Sequence, residues 1–405
     1  MNSTATLQRD EDIYFENVIQ HFVKNDSLFV ERNWLTNRIK AAIDDPSSRF
    51  ILVTGDPGIG KTTLLAELAH LYPDSLRYFL RIDTPAPYRS GTAQSFLNSI
   101  GVQLASRDHE LFQQHNLETV VHQRIRDVTS GGTVIGLKAK DFIINPFYQT
   151  TKFVDQEVDT VAGTIIGLDV ERLVADPLLL TPGNLQFLAL IDPARVLLRT
   201  DPSARIVILV DALDELHFHS QQESVLDWLA GCPEDLPSNI RFVLTARNDD
   251  SLLAVFREQQ RRWLKEIAID SLSRNVYSDL STIAEKFVSQ AKIQGLFLSH
   301  HVDADAFIEN VVMKARGNFL YLRTLFRAID EADDEHRQEV LLRLQEVPEG
   351  LEELYRFFLL WIKKDVAGKE AEFLDETFKA SRRPFWTDLI QPMLGILAVA
   401  GEPLS

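Results

Sequence analysis

Gly55, Asp56, Pro57, Gly58, Ile59, Gly60, Lys61 and Thr62 stand in the order GxxxxGK[ST], the spacing of a backbone turn that wraps phosphate. Glycines let the chain approach phosphate oxygens closely, with amide N–H groups turned inward. A helix beginning at Lys61 aims its positive end at the same anion. Lys61 has the reach and charge for β- and γ-phosphates, the Thr62 hydroxyl suits Mg2+, and Thr63 completes the set.

A second group follows an apolar run at 206–210 and reads Asp211, Ala212, Leu213, Asp214, Glu215. A carboxylate at the end of a buried strand can hold Mg2+ beside the phosphate turn, which is the role expected of Asp211. A carboxylate a few residues on can orient and activate an attacking water; Glu215 is the first candidate for that base and Asp214 the second. The third group is Thr245, Ala246, Arg247, after another apolar run, where Arg247 can sense a γ-phosphate from the edge of a parallel strand. Other reactive types lack partners in the sequence. His217 and His219 read as a solvated loop. Arg257, Arg261, Arg262 and Lys265 read as the solvated face of one helix, and the single cysteine, Cys232, as structural.

The elements that must carry these groups alternate. Residues 50–54 form an apolar strand, and Leu64, Leu65, Leu68 and Leu71 give the next segment one apolar helical face. A strand at 77–83, a helix at 92–106, a strand at 205–210, a helix at 221–229 and a strand at 240–245 continue the pattern. Such alternation implies an α/β fold with a parallel sheet flanked by helices. After residue 271 the strands are expected to stop, with helices at 275–290, 304–315, 319–331, 336–347 and 351–363.

Residues 128–175 differ, being β-branched and glycine-containing. Within them TVIGLK starts at Thr133 and TIIGLD at Thr164, 31 positions later. The repeat is too short to argue a solenoid; strands with a glycine bulge and a partner-binding insert both stay open. The 405 residues carry a net charge of −17, which disfavours general nucleic-acid binding. One cysteine excludes an intrachain disulfide framework and suits a reducing, cytoplasmic setting. No apolar run approaches the ~18–20 residues that span a bilayer.

Together these motifs resemble the NACHT-type STAND nucleoside triphosphatases, relatives of the AAA+ ATPases. The likeness rests on the segment 28–34, where Glu31 and Asn33 depart from the family's glycine and glutamate, on the phosphate turn, on LVDALDEL and on VLTAR. It extends to the helical segments 317–329 and 347–359. The resemblance implies nucleotide contacts from Val30 and Arg32, and ATP or ADP with Mg2+ as ligands. It implies a signal-transduction switch in defence or stress signalling, with slow hydrolysis, homo-oligomerisation on activation, and a C-terminal sensor or effector outside this chain.

The expected layout is an N-terminal segment at 1–28 and a P-loop domain at 29–270 with the insert at about 128–175. A helical domain at 271–380 and the start of a winged helix at 381–405 complete it. A motor ATPase acting on nucleic acid or protein, and a nucleotide-stabilised scaffold that does not hydrolyse, are the alternative readings.

Overall fold

The computed structural model describes residues 14–79, 91–115, 117–145, 147, 150–176, 179, 181–214, 223–232, 236–248, 250–331, 347–374 and 380–399. The chain forms two compact units. The first contains residues 1–26, 33–54 and 61–268; the second contains 27–32, 55–60 and 269–405.

In the first unit, five parallel strands make one sheet in the order β2-β7-β8-β1-β9, where β1 is Phe50–Thr54, β2 Leu76–Tyr78, β7 Ile206–Val210, β8 Ile240–Ala246 and β9 Leu264–Ala268. Every residue of β1, β7 and β8 is buried. Their largely apolar runs, rich in β-branched and aromatic residues, are what a strand covered on both faces requires. Phe50 stacks on Phe242 of the neighbouring strand, ring centroids 5.2 Å apart.

Helix α1 is Asn33–Asp44, with Leu35, Ile39 and Ala42 buried on one face. Helix α2, Lys61–Leu71, buries Leu64, Leu65 and Leu68, but Leu71 is exposed and leaves the expected apolar face at its last turn. Helix α3, Ala93–Arg107, is capped by the Thr92 side chain on Ser95 N–H. Its buried Gln103 accepts from Arg77 N–H at 2.8 Å and donates to Arg77 C=O at 2.7 Å. One side-chain amide thus satisfies both backbone groups of an outermost strand. The strand expected at 77–83 is confined to Leu76–Tyr78, and residues 80–83 lie outside the described ones.

Helix α4, Val225–Ala230, opens with a capping box between Ser224 and Asp227. Helix α5 is Asp250–Gln259. It ends before Arg261, and Lys265 lies on β9, so the four basic residues do not share one helix. The polar alternation of Leu264–Ala268, burial falling mainly on Ile267, disguised this strand as helix.

Between α3 and β7 stand four strands of equal length: β3 Leu117–Val128, β4 Thr133–Ile144, β5 Thr150–Val161 and β6 Thr164–Ala175. The β-rich insert therefore begins earlier than expected, at Leu117, and holds four strands. Parallel pairing joins β3 to β5 and β4 to β6, so the two similar hexapeptides lie side by side with Thr133 opposite Thr164.

The second unit is mainly helical: α6 Arg274–Val288, α7 Ala291–Ser299, α8 Ala304–Ala315, α9 Phe319–Glu331 and α10 Leu351–Asp365. Phe287, Phe297, Phe307 and Phe326 form its aromatic core, Phe287 stacking on Phe326 at 4.1 Å. The helix at 336–347 falls outside the described residues. Strands do not stop after residue 271: β10 Glu370–Leu374 and β11 Ala380–Pro384 pair antiparallel. Both strands are only five residues long, and neither carries the β-branched run that marks the sheet strands of the first unit. A helical segment from Trp386 follows, ending in α11, Gln391–Val399.

Candidate functional site

In the first unit, β8 lies between β1 and β7, so the carboxyl ends of these strands are neighbours. Lys61 and Thr62 open α2, which follows β1 in the chain. Asp211 follows β7 and is 3% exposed. The Thr245 hydroxyl on β8 donates to Asp211 Oδ1 at 2.5 Å, and the same hydroxyl oxygen accepts from Ala212 N–H at 3.0 Å. Asp211 N–H is bound to Tyr78 C=O, and Leu213 N–H to Thr245 C=O. Asp211 is thereby held from both neighbouring strands, its carboxylate by Thr245 and its backbone by Tyr78. A hydrogen bond to a charged group contributes about 1.5–3 kcal/mol. Ala212, at φ 52°, turns the chain sharply just after Asp211. That left-handed conformation costs a residue with a Cβ about 1–2 kcal/mol.

Asp214 and Arg247 form a pair. Arg247 N–H donates to Asp214 Oδ1 at 3.0 Å, and Arg247 Nε lies 3.1 Å from Oδ2. Both oxygens of Asp214 are engaged, and the carboxylate is buried while half of the Arg247 side chain is exposed. Glu215 lies outside the described residues, as do His217 and His219. Thr245 was named in the sequence only as a neighbour of Arg247; its hydroxyl is the group that orients Asp211. A hydroxyl at the end of a buried apolar strand was the available signal.

In the second unit, the turn Gly55–Gly60 is held by its carbonyls. Asn318 Nδ2 donates to Pro57 C=O at 3.0 Å, Phe319 N–H to Gly58 C=O at 2.9 Å, and Arg32 Nη1 to Ile59 C=O at 2.9 Å. Three consecutive carbonyls thus face residues 32 and 318–319. Gly58 and Gly60 have φ of 80° and 84°. A Cβ on Gly58 would lie 2.4 Å from Asn318 Oδ1, and one on Gly60 3.3 Å from Arg32 Nη1. The glycines are thus required by backbone conformation and by close approach together.

Arg32 is itself buried, paired with Asp279 of α6 at 3.3 Å and lying over the Phe319 ring at 4.7 Å. Asn318 Oδ1 accepts from Tyr321 N–H, closing the first turn of α9. Gly317, at φ 82°, fits only as glycine, since a Cβ would meet Ser271 C=O at 2.2 Å. Val30 and Gly60 are half-buried, Gly55 and Ile59 buried, and Asp56 and Pro57 exposed. The sequence assigned Arg32 to nucleotide; its guanidinium is bound to the turn and to Asp279. Asn318 and Asp279 were not assigned a role.

The residue types suit a nucleoside triphosphate with Mg2+. Within the second unit two left-handed glycines form the turn; within the first, Lys61 and Thr62 open α2 and Asp211 is fixed and buried. Among the described residues there is no group of three or more His, Cys, Asp or Glu side chains that could hold a metal ion by themselves. Mg2+ keeps several waters and takes one or two protein groups plus substrate phosphates, so Thr62 and Asp211 would suffice to hold it.

The sequence model of the AAA ATPase domain family matches residues 28–244, more than half of the chain, and the chain belongs to that family. It is thus a P-loop ATPase of the AAA class. The RuvB T158V protein of Thermotoga maritima is a similar solved structure, 14% identical, covering 85% of this chain and 79% of that one with a TM-score of 0.33. No curated protein matches the chain. Among the described residues, no helix is long and apolar enough to cross a membrane.

Proposed function

We propose that this ATPase is a nucleotide-controlled switch of the NACHT-type STAND kind, which hydrolyses ATP slowly and whose nucleotide state governs homo-oligomerisation in defence or stress signalling. One observation carries the reading. The phosphate turn is built into the helical unit through the carbonyls of Pro57, Gly58 and Ile59. A change in the turn on exchanging ADP for ATP would act directly on Arg32, Asn318 and Phe319. A ligand shifts a conformational equilibrium only through differential affinity for the two states, and this linkage supplies a route for it.

In this reading the amides of residues 55–62 and the Lys61 ammonium hold the phosphates, while Thr62 and Asp211 hold Mg2+. The ion would neutralise charge on the β- and γ-phosphates. Thr245 fixes the Asp211 carboxylate, and Asp214 retains Arg247. The base is Glu215, which is to take the proton from the attacking water. Engagement of Arg247 by Asp214 supports slow turnover, because a γ-phosphate must compete with a buried carboxylate for it.

The test is the nucleotide content of purified protein together with its turnover. Trapped ADP and turnover far below one per second support the switch. An empty site with rapid turnover would indicate a motor, and bound ATP that is never hydrolysed a scaffold. Lys61→Ala should cost a charge-assisted contact of about 1.5–3 kcal/mol, roughly ten- to more than a hundredfold in affinity by calorimetry. Unchanged affinity would remove the basis of the reading.

A further inference from the structure

The insert consists of two stacked layers, β3–turn–β4 and β5–turn–β6. Neither β3 with β4 nor β5 with β6 is a ladder pair; each strand pairs in parallel with its counterpart in the other layer. The two sheets therefore face each other, as Gln123 Nε2 reaching the backbone carbonyls of Ile135 and Gly136 demonstrates. The repeat offset is 33 positions between β3 and β5 and 31 between β4 and β6. The difference is taken up in the turns, 129–132 in the first layer and 162–163 in the second. Among the described ladders each strand has one partner strand, so its other edge faces away from the ladder. A long unpaired strand edge is a template for another chain.

The contacts between layers follow the register and have a direction. His122 faces Asp155, Arg124 faces Glu157 and Lys138 faces Asp169, at 3.3, 3.7 and 3.6 Å; only Asp141 with Arg172 runs the other way. Gln156 donates to Gln123 Oε1 at 2.8 Å, and Asn145 donates to Asp176 at 2.9 Å. The first layer thus offers mainly bases to the second layer's acids.

The glycines sharpen the point. A Cβ on Gly136 would strike Val154 Cγ1 at 2.2 Å, because the second layer closes over it. Gly167 holds the same place in the second layer, and a Cβ there would meet nothing within 4 Å. Val154 is paired in register with Val121 of the first layer. A further first layer stacked on the second would bring its Val121 over Gly167 as Val154 lies over Gly136.

We infer that the insert is a self-association surface, on which the β5/β6 edge of one copy receives the β3/β4 edge of a second copy of this chain, head to tail. Stacking in this sense repeats the three base-to-acid pairs and the glutamine contact between molecules. The opposite arrangement, β5/β6 against β5/β6, would gather Asp155, Glu157 and Asp169 of both copies, and like charges facing one another are unfavourable. A head-to-tail contact of translated layers does not close on itself, so it builds open assemblies. No residue of the phosphate turn takes part, and association should survive Lys61→Ala.

The test uses the full chain and light scattering over a range of protein concentration. The wild-type mass should climb past that of a dimer without levelling. Gly167→Val should keep the wild-type circular dichroism and thermal midpoint, yet need at least tenfold more protein to assemble. Added at one part in ten to wild-type protein it should shorten the assemblies, since it retains a working β3/β4 edge. A second variant guards against misfolding: Arg124→Glu with Glu157→Arg and Lys138→Glu with Asp169→Lys keeps the pairs inside each copy. Labelled copies of this variant should associate with themselves and not with wild type, as read by energy transfer. Wild-type protein that stays monomeric, a mass that stops at the dimer, assembly of Gly167→Val at wild-type concentrations, or free mixing of swapped and wild-type copies would each overturn the inference.

Discussion

Asp214 holds Arg247 by two contacts at once: its Oδ1 accepts the Arg247 backbone N–H at 3.0 Å, and its Oδ2 lies 3.1 Å from Nε of the same residue. The bond to the main chain fixes the loop after β8, and the ion pair fixes where the guanidinium points. A carboxylate so engaged is a positioning group. In the function proposed above, the base is accordingly assigned to Glu215.

The pair should be energetically coupled. Asp214→Ala and Arg247→Ala, measured singly and together by chemical denaturation, should be non-additive by about 0.5–3 kcal/mol. Asp214→Ala should be the more damaging single change, since it also strips the acceptor from a backbone N–H. Full additivity would mean that the ion pair does not persist in solution.

Thr245→Val should weaken nucleotide binding only when Mg2+ is present. The substitution leaves Asp211 Oδ1 without its donor and Ala212 N–H without its acceptor, while the strand position stays buried. Loss of a contact to a charged group corresponds to about tenfold or more in affinity. Thr245→Ser, which keeps the hydroxyl, should retain most of it. A fluorescent nucleotide titrated with and without Mg2+ reads the difference. An equal loss in both conditions would indicate that Thr245 acts on the fold and not through Asp211.

The sheet and the phosphate turn were legible because their signals are local: largely apolar runs at β1, β7 and β8, and a fixed glycine spacing. The parallel pairing of β3 with β5 and of β4 with β6 was half-visible, as a hexapeptide repeat between Thr133 and Thr164. The matching β3 and β5 share little beyond a polar–apolar alternation, so the repeat looked shorter than it is. Strand β9 was missed because three of its five residues are exposed and two are charged. The roles of Asn318 and Arg32 could not be read, since both depend on contacts with the turn at 57–59 that no sequence spacing encodes.

Cys232 should be inert. Its thiol is buried, and burial pushes its pKa up to about 12. Since the thiolate is the nucleophile, this rise leaves very little of the reactive form near neutral pH. Native protein at pH 8 should react with a thiol reagent only as fast as it unfolds, and denatured protein at once. Rapid modification of the native chain would show that the α4 end opens readily.

Gly58 and Asn318 form the tightest approach in the turn, and two substitutions separate conformation from contact. Gly58→Ala must hold a Cβ at φ 80° and within 2.4 Å of the Asn318 amide oxygen. The left-handed conformation alone costs about 1–2 kcal/mol for a residue with a Cβ, and the clash must be relieved as well. Asn318→Ala removes the clash partner, the bond to Pro57 C=O, and the side-chain acceptor for Tyr321 N–H. Loss of a helix-capping side chain costs about 0.5–2 kcal/mol. Each single variant should therefore lower the thermal midpoint, by about 2–4 °C per kcal/mol lost. The double variant should lose less than the sum, because a Cβ on Gly58 no longer meets the amide. If nucleotide affinity falls in step with stability in both single variants, the turn depends on its contact with α9 for its binding shape. If Asn318→Ala lowers the midpoint and leaves affinity untouched, the turn keeps that shape unaided and the coupling on which the switch relies is absent.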